Sequence, residues 1–239
     1  MPDATRFILL ETSHPGNVGA VARAMKVMGF SDLVLVAPRF PDVLQMPEAI
    51  AFASGATDVL QGARIVSDIG QALDGVTCVC ATAMTARDFG PPTHAPRELF
   101  AELAPAGQRV GFVFGSERYG IANEDVYRCH VCIRIPTHPG YGSLNLSQAV
   151  QLIAYEWRQA IGGFDTPRQE DAELADARAV QGVLTHWRST LEAIGFLDPQ
   201  APKKLLPRLN QLANRAQLTT AEVHILRGIA RAVDKAAGG

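Results

Sequence analysis

The sequence predicts an α/β fold: a parallel sheet with helices on both faces, followed by a small all-helical extension. Three observations predict it. In the first two-thirds of the chain, short apolar runs alternate with helix-like stretches, the pattern of strand–helix–strand crossovers. Those runs are too continuously apolar for a half-exposed antiparallel sheet. Beyond residue 161 the β-branched runs stop, and apolar residues recur three or four apart.

Taken in order, strands are expected at residues 7–11, 33–37, 64–66, 76–81, 110–115 and 131–135, with the clearest helices at 18–28, 97–103 and 146–161. Residues 162–167 (Gly-Gly-Phe-Asp-Thr-Pro) read as a linker. It divides the chain into a domain of residues 1–162 and an extension of residues 163–239. In the extension, Leu174, Ala177, Val180, Leu184, Trp187, Leu191 and Ile194 place a helix over 170–194. Two more follow over 202–215 and 219–236. Thr219 or Thr220 caps the last, with Glu222 near its first turn.

Composition bounds the function. The chain has 239 residues, 47% hydrophobic and 19% charged, enough to bury a sizeable core. With 22 basic and 24 acidic residues the net charge is −2, which excludes a uniformly basic nucleic-acid coat protein. Charge is local instead. Residues 201–239 carry seven Lys/Arg against Glu222 and Asp234, a net +5. Such an end suits RNA phosphate, and it also suits a solvated helix face. No apolar run approaches the ~20 residues of a membrane span, and MPDATRFILLE lacks the basic region of a signal peptide. Four cysteines are too few for a disulfide scaffold. A cytoplasmic setting without a membrane is expected.

Three glycine-containing segments carry the candidate chemistry. Asn17, Gly19 and Arg23 follow the first strand and open a helix, with Asn17 read as its N-cap. Gly115-Ser116-Glu117-Arg118-Tyr119-Gly120 follows the fifth strand. It is neither a phosphate-binding P-loop nor a dinucleotide fingerprint, and a plain turn needs its glycines but not its charged pair. Tyr141-Gly142-Ser143-Leu144-Asn145 opens a helix and exposes backbone N–H donors, through ligand binding or through ordinary capping by Ser143 or Asn145. Cys129-His130-Val131-Cys132 has half the spacing of a zinc site, with Cys78 and Cys80 as the other half. Both pairs lie in or beside core strands, where cysteine is a small hydrophobe, so no metal is expected.

Together the three segments resemble the SpoU branch of the SPOUT RNA methyltransferases. Asn17, Gly19 and Arg23 match its first motif; Gly115, Glu117 and Gly120, with Asn123 and Glu124, its second; Ile135, Pro136, Ser143, Leu144, Asn145, Ser147 and Ala149 its third. The tail segments 209–218 (LNQLANRAQL) and 222–228 (EVHILRG) resemble the extension of the TrmJ type. His138 and Gly142 stand where the family more usually has Asn and Ser.

The resemblance implies a deep trefoil knot near the C-terminal end of the catalytic domain. It implies S-adenosylmethionine as methyl donor and a homodimer in which each site is completed by the partner chain. The activity implied is methylation of a ribose 2′-hydroxyl of tRNA, a cytidine or uridine at nucleotide 32 of the anticodon loop. The alternatives are an rRNA ribose methyltransferase and a non-catalytic RNA-binding module. Carried onto this chain, the catalytic set is Arg23, Asn17, Glu117, Ser143 and Asn145. The donor-binding set is Thr82, Ala83, Met84, Gly115, Ile135, Ser143, Leu144 and Asn145. On this reading a side chain at Gly115 would fill the donor pocket. Lys26, three residues after Arg23, would share its helix face and attract RNA phosphate. A guanidinium normally stays protonated, so Arg23 acts either by unusual desolvation or by stabilising alkoxide and phosphate charge.

Overall fold

The computed structural model describes residues 5–83, 88–165 and 172–238. The chain divides into two compact units, residues 1–165 and 166–239. In the first, β1 (Arg6–Leu10), β2 (Asp32–Val36), β3 (Arg64–Val66), β4 (Cys78–Thr82), β5 (Thr93–His94), β6 (Val110–Phe114) and β7 (Val131–Ile133) form one sheet. Its order is β3-β2-β1-β6-β4-β7-β5, and every pairing is parallel.

Strand residues alternate between two cores, as the pleat requires. Phe7, Leu9, Cys80, Phe112, Phe114 and Ile133 face one cluster; Ile8, Leu10, Val79, Val113 and Cys132 face the other. Both faces are covered, which is why the strands read as unbroken apolar runs. The first cluster is the aromatic one. Phe7 lies 5.2 Å from Phe30 and 5.5 Å from Phe112, and Trp157 meets Phe100 and Phe112 edge-on. Each such ring, fully buried, contributes roughly 1.5–3 kcal/mol. The indole N–H of Trp157 is satisfied by Thr5 Oγ1 at 2.8 Å.

The helices that bear on function are α1 (Pro15–Val27), α2 (Pro47–Ala53) and, after α3 (Thr57–Gly62), α4 (Ile69–Leu73), α5 (Pro96–Leu103) and α6 (Asn123–Val126), α7 (Leu146–Ala160). Helix α1 starts three residues earlier than expected. Pro15, pre-set for helical φ, occupies its first turn and His14 is the N-cap. Asn17 is therefore inside the first turn, and its side chain is not spent on capping. Gly19 packs α1 onto α2, since a Cβ there would strike the Ala49 carbonyl and the Ala53 N–H. The short, exposed β5 gave no apolar signal in the sequence. Strand β4 begins at Cys78 rather than at residue 76, because the Gly75 turn (φ +75°) and the Val76 N–H bond to Leu73 O hold residue 76 outside the ladder.

The second unit contains α8 (Ala177–Ala193), α9 (Leu205–Ala216) and α10 (Thr220–Ala237). Helix α8 starts at Ala177, capped by Asp176; of the helix expected over 170–194, residues 170 and 171 lie outside the described residues and 172–176 are not helical. Upstream, extended chain pairs with the start of α10: Ala175 donates to Leu218 O, and Thr220 to Glu173 O. Thr219 caps α10 and Glu222 completes the capping box. Lys203, Lys204, Arg208, Arg215, Arg231 and Lys235 are exposed. Among the described residues no helix is long and apolar enough to cross a membrane.

Candidate active site

Because the strands are parallel, the C-terminal ends of β1, β6, β4 and β7 gather four loops at one edge of the sheet. Open α/β sheets bind ligands there. The loop after β6 is the tightest. Ser116 and Gly120 each donate to the other's carbonyl, at 3.0 and 2.9 Å. Gly120 has φ +70°, where glycine carries no steric cost. At Gly115 a Cβ would collide with the backbone of Gly120 and Ile121. The missing side chain at Gly115 makes room for the loop's own backbone.

From this loop Glu117 reaches toward the exit of β1. Its Oε1 accepts from Thr12 Oγ1 at 3.0 Å and from Asn17 Nδ2 at 2.7 Å. Its Oε2 accepts from the Ser13 N–H and from Ser13 Oγ, both at 3.0 Å. Asn17 Oδ1 accepts from Asn145 Nδ2 at 3.0 Å. Asn145 Oδ1 caps α7, accepting from the Ser147 N–H and Oγ at 2.9 and 2.7 Å, while Gln148 accepts the Asn145 N–H. The three motif segments, 100 and 128 residues apart, meet in one hydrogen-bonded chain.

That chain has a direction. A carboxylate only accepts, so Asn17 turns its amide nitrogen to Glu117 and its oxygen to Asn145. Asn145 must then offer nitrogen to Asn17 and keep its oxygen for the helix cap. Partial burial pushes the Glu117 carboxyl up, but the bonds from Asn17 and Ser13 outweigh it and hold the group below the usual carboxylate range. Each of the two asparagines has a second amide N–H without a partner among the described residues.

Arg23 is not brought into this network within one chain. It is exposed on α1, about 9 Å along the helix from Asn17, and its side chain makes no hydrogen bond or ion pair among the described residues. It lines a groove of about 670 Å³ between α1 and α7, with Ala24, Val27, Leu144, Gln151 and Leu152. Lys26 does not join it. Its ammonium is held by Asp58 at 2.8 Å and the Gly55 carbonyl at 2.9 Å, and that bond lowers the Asp58 carboxyl.

The remaining expected positions lie on the same sheet edge. Thr82 Oγ1 donates to Val113 O and the Ala83 N–H to Ile133 O, both at 3.0 Å, so these donors hold the β4 exit to β6 and β7. Met84 lies outside the described residues. Ile135 and Leu144 are half-buried and Ser143 is exposed. The N–H groups of Gly142, Ser143 and Leu144 make no hydrogen bond among the described residues. Free N–H donors beside half-buried aliphatic side chains fit a ligand with a polar chain and a flat ring.

Thr12 and Ser13 escaped sequence reasoning. Two small hydroxyl residues ahead of His-Pro-Gly look like ordinary helix-start chemistry, and nothing local shows that their partner is residue 117. Cys78, Cys80, Cys129 and Cys132 are buried in the two cores, where burial pushes the Cys129 thiol up to about 12. Among the described residues no group of three His, Cys, Asp or Glu could hold a metal.

Comparison with known proteins follows the same division of the chain. Residues 4–155 match the SpoU rRNA Methylase family. The chain belongs to the SpoU methylase family. Residues 178–239 match the C-terminal domain of tRNA methyltransferase TrmJ. The chain is 41% identical to the tRNA (cytidine/uridine/adenosine-2'-O-)-methyltransferase TrmJ of Pseudomonas aeruginosa (strain UCBPP-PA14), over 100% of this chain and 97% of that protein. It is 40% identical to the tRNA (cytidine/uridine-2'-O-)-methyltransferase TrmJ of Pectobacterium atrosepticum, over 98% of each. Among solved structures, TrmJ from Z. mobilis ZM4 has a TM-score of 0.82 at 31% identity, covering 96% of this chain and 98% of that one. The family read from the three motifs is the family found.

Proposed function

We propose that this SpoU-family chain is an S-adenosylmethionine-dependent methyltransferase acting on the ribose 2′-hydroxyl of tRNA, on cytidine or uridine at nucleotide 32. The observation that carries the reading is the Glu117–Asn17–Asn145 chain at the C-terminal edge of the sheet. Full-length similarity to tRNA 2′-O-methyltransferases supports the substrate.

The donor, when bound, supplies an electrophilic methyl carbon. The residues to hold it are the N–H groups of 142–144 and the apolar side chains of Ile135 and Leu144, with the exits of β4 and β6 as walls. Asn17 and Asn145 direct their remaining N–H groups toward the ribose, in an orientation fixed by Glu117. Alignment of the hydroxyl and exclusion of water then provide most of the acceleration. Exposure of Arg23 favours the electrostatic role, stabilising alkoxide and phosphate charge. Its guanidinium faces the α1/α7 groove, whose Val27 and Leu152 are exposed apolar residues. A second copy seated on that groove would bring Arg23 to the partner's ribose, so the working form is a homodimer, and a tRNA substrate favours the cytoplasm.

The test is methylation of unmodified tRNA by purified protein and S-adenosylmethionine, followed by nucleoside mass spectrometry. The expected product is 2′-O-methylcytidine or 2′-O-methyluridine. Methyl transfer confined to rRNA, or binding of tRNA without transfer, would replace the reading.

A further inference from the structure

The loop that delivers Glu117 carries two side chains that the polar network does not use. Its backbone is held at both ends by the reciprocal Ser116–Gly120 bonds, and the Tyr119 N–H donates to Ser116 Oγ at 3.2 Å. Its centre is held by Glu117, which is tied to Thr12, Ser13 and Asn17. On this fixed support the Tyr119 ring is 76% exposed, with the Arg118 guanidinium 5.2 Å from its centroid. A tyrosine left in water forgoes the burial its ring would gain. The cation over the ring limits its rotamers and leaves a flat, pre-ordered surface beside a second planar group.

Tyr119 is two residues from Glu117, so their backbones are at most about 7 Å apart. A surface this close to the ribose site, flat and cationic, matches the chemistry of an unpaired base. Bases splayed from a single-stranded loop stack on aromatic rings and on arginine planes, whatever their sequence. We propose that Arg118 and Tyr119 form a stacking subsite for an unpaired nucleobase adjoining the nucleotide at the catalytic edge. The proposal rests on the RNA substrate argued above and adds a place where that RNA is gripped.

The experiment uses the full chain and two readouts. One is steady-state methylation of tRNA. The other is fluorescence of a short anticodon-loop RNA carrying 2-aminopurine at each loop position in turn, which reports stacking without any chemistry. Tyr119→Ala should raise KM about tenfold or more, leave kcat within about twofold, and abolish the fluorescence quench seen with the wild type at one position. Tyr119→Phe and Tyr119→Trp should restore both, because they keep the ring and discard the hydroxyl. Unchanged KM and unchanged quench in Tyr119→Ala overturns the subsite. So does loss of dimer mass in light scattering with RNA affinity intact, which would make Tyr119 a contact between copies. If the wild type quenches 2-aminopurine and Tyr119→Ala does not, yet neither methylates tRNA, the subsite stands and the reading of the reaction falls.

Discussion

A carboxylate that receives four hydrogen bonds has little capacity left to take a proton, and Glu117 is in that state. Its work is to orient amides. Glu117→Gln introduces an NH2 group where only acceptors fit, so Asn17 and Asn145 lose their imposed direction. The expected result is a fall in kcat of tenfold or more, by the roughly 1.5–3 kcal/mol of a bond to a charged group, with donor affinity retained in calorimetry. The pH dependence has a definite sign. The folded carboxyl titrates below its unfolded value, so its contribution is complete above about pH 4.3 and fades as pH falls through the folded value. The urea midpoints of wild type and Glu117→Gln should therefore converge in acid, and a constant gap from pH 7 to pH 3 would contradict the depressed carboxyl. Arg23→Ala should slow single-turnover transfer by ~10²–10³ at saturating tRNA, and full rate at saturation would make Arg23 a binding residue. Asn17, Glu117 and Asn145 were legible because their motif spacing is specific. Thr12 and Ser13 were not, because a hydroxyl before a helix has a local use that hides a distant one.

Helix α1 joins the site to the core at the level of elements. It presents Asn17 at its first turn, seats Gly19 against α2 and carries Arg23 onto the α7 groove. The glycine contact leaves no room for a Cβ. Gly19→Val should lower stability by about 1–3 kcal/mol through overpacking, read as a lower denaturation midpoint, and an unchanged midpoint would mean that α2 can move aside freely. The sequence carried the strands well, because alternate residues feed two apolar cores and leave no polar gap. It misplaced the start of α1, since Asn17 resembles a cap while Pro15 set the helix going two residues earlier. It missed β5, whose two exposed residues add to the edge of β7 without burying anything. Loop geometry was the least legible feature. The role of Gly115 depends on where Gly120 and Ile121 return, and no local pattern encodes that.

For the whole molecule, we propose that the two units divide two tasks, methyl transfer in the first and RNA binding in the second. The basic residues of the second unit are exposed on and beside α9 and α10, where they can neutralise phosphate. Removing residues 163–239 should weaken tRNA binding strongly, with a reduced salt dependence, and leave donor binding nearly unchanged in calorimetry. An unchanged KM for tRNA would give that unit another purpose. Charge division and helical periodicity were visible in the sequence; the extended pairing of residues 173–175 with the start of α10 was not, because it depends on partners about 45 residues away. We propose that the three motif loops, joined through Asn17 and oriented by Glu117, methylate a tRNA ribose. The most direct test is mass spectrometry of tRNA nucleosides from a strain lacking this gene, complemented by the wild type or by Glu117→Gln. One 2′-O-methyl pyrimidine nucleoside should vanish on deletion and return with the wild type but not with the variant, whereas an unaltered nucleoside profile on deletion would contradict the account.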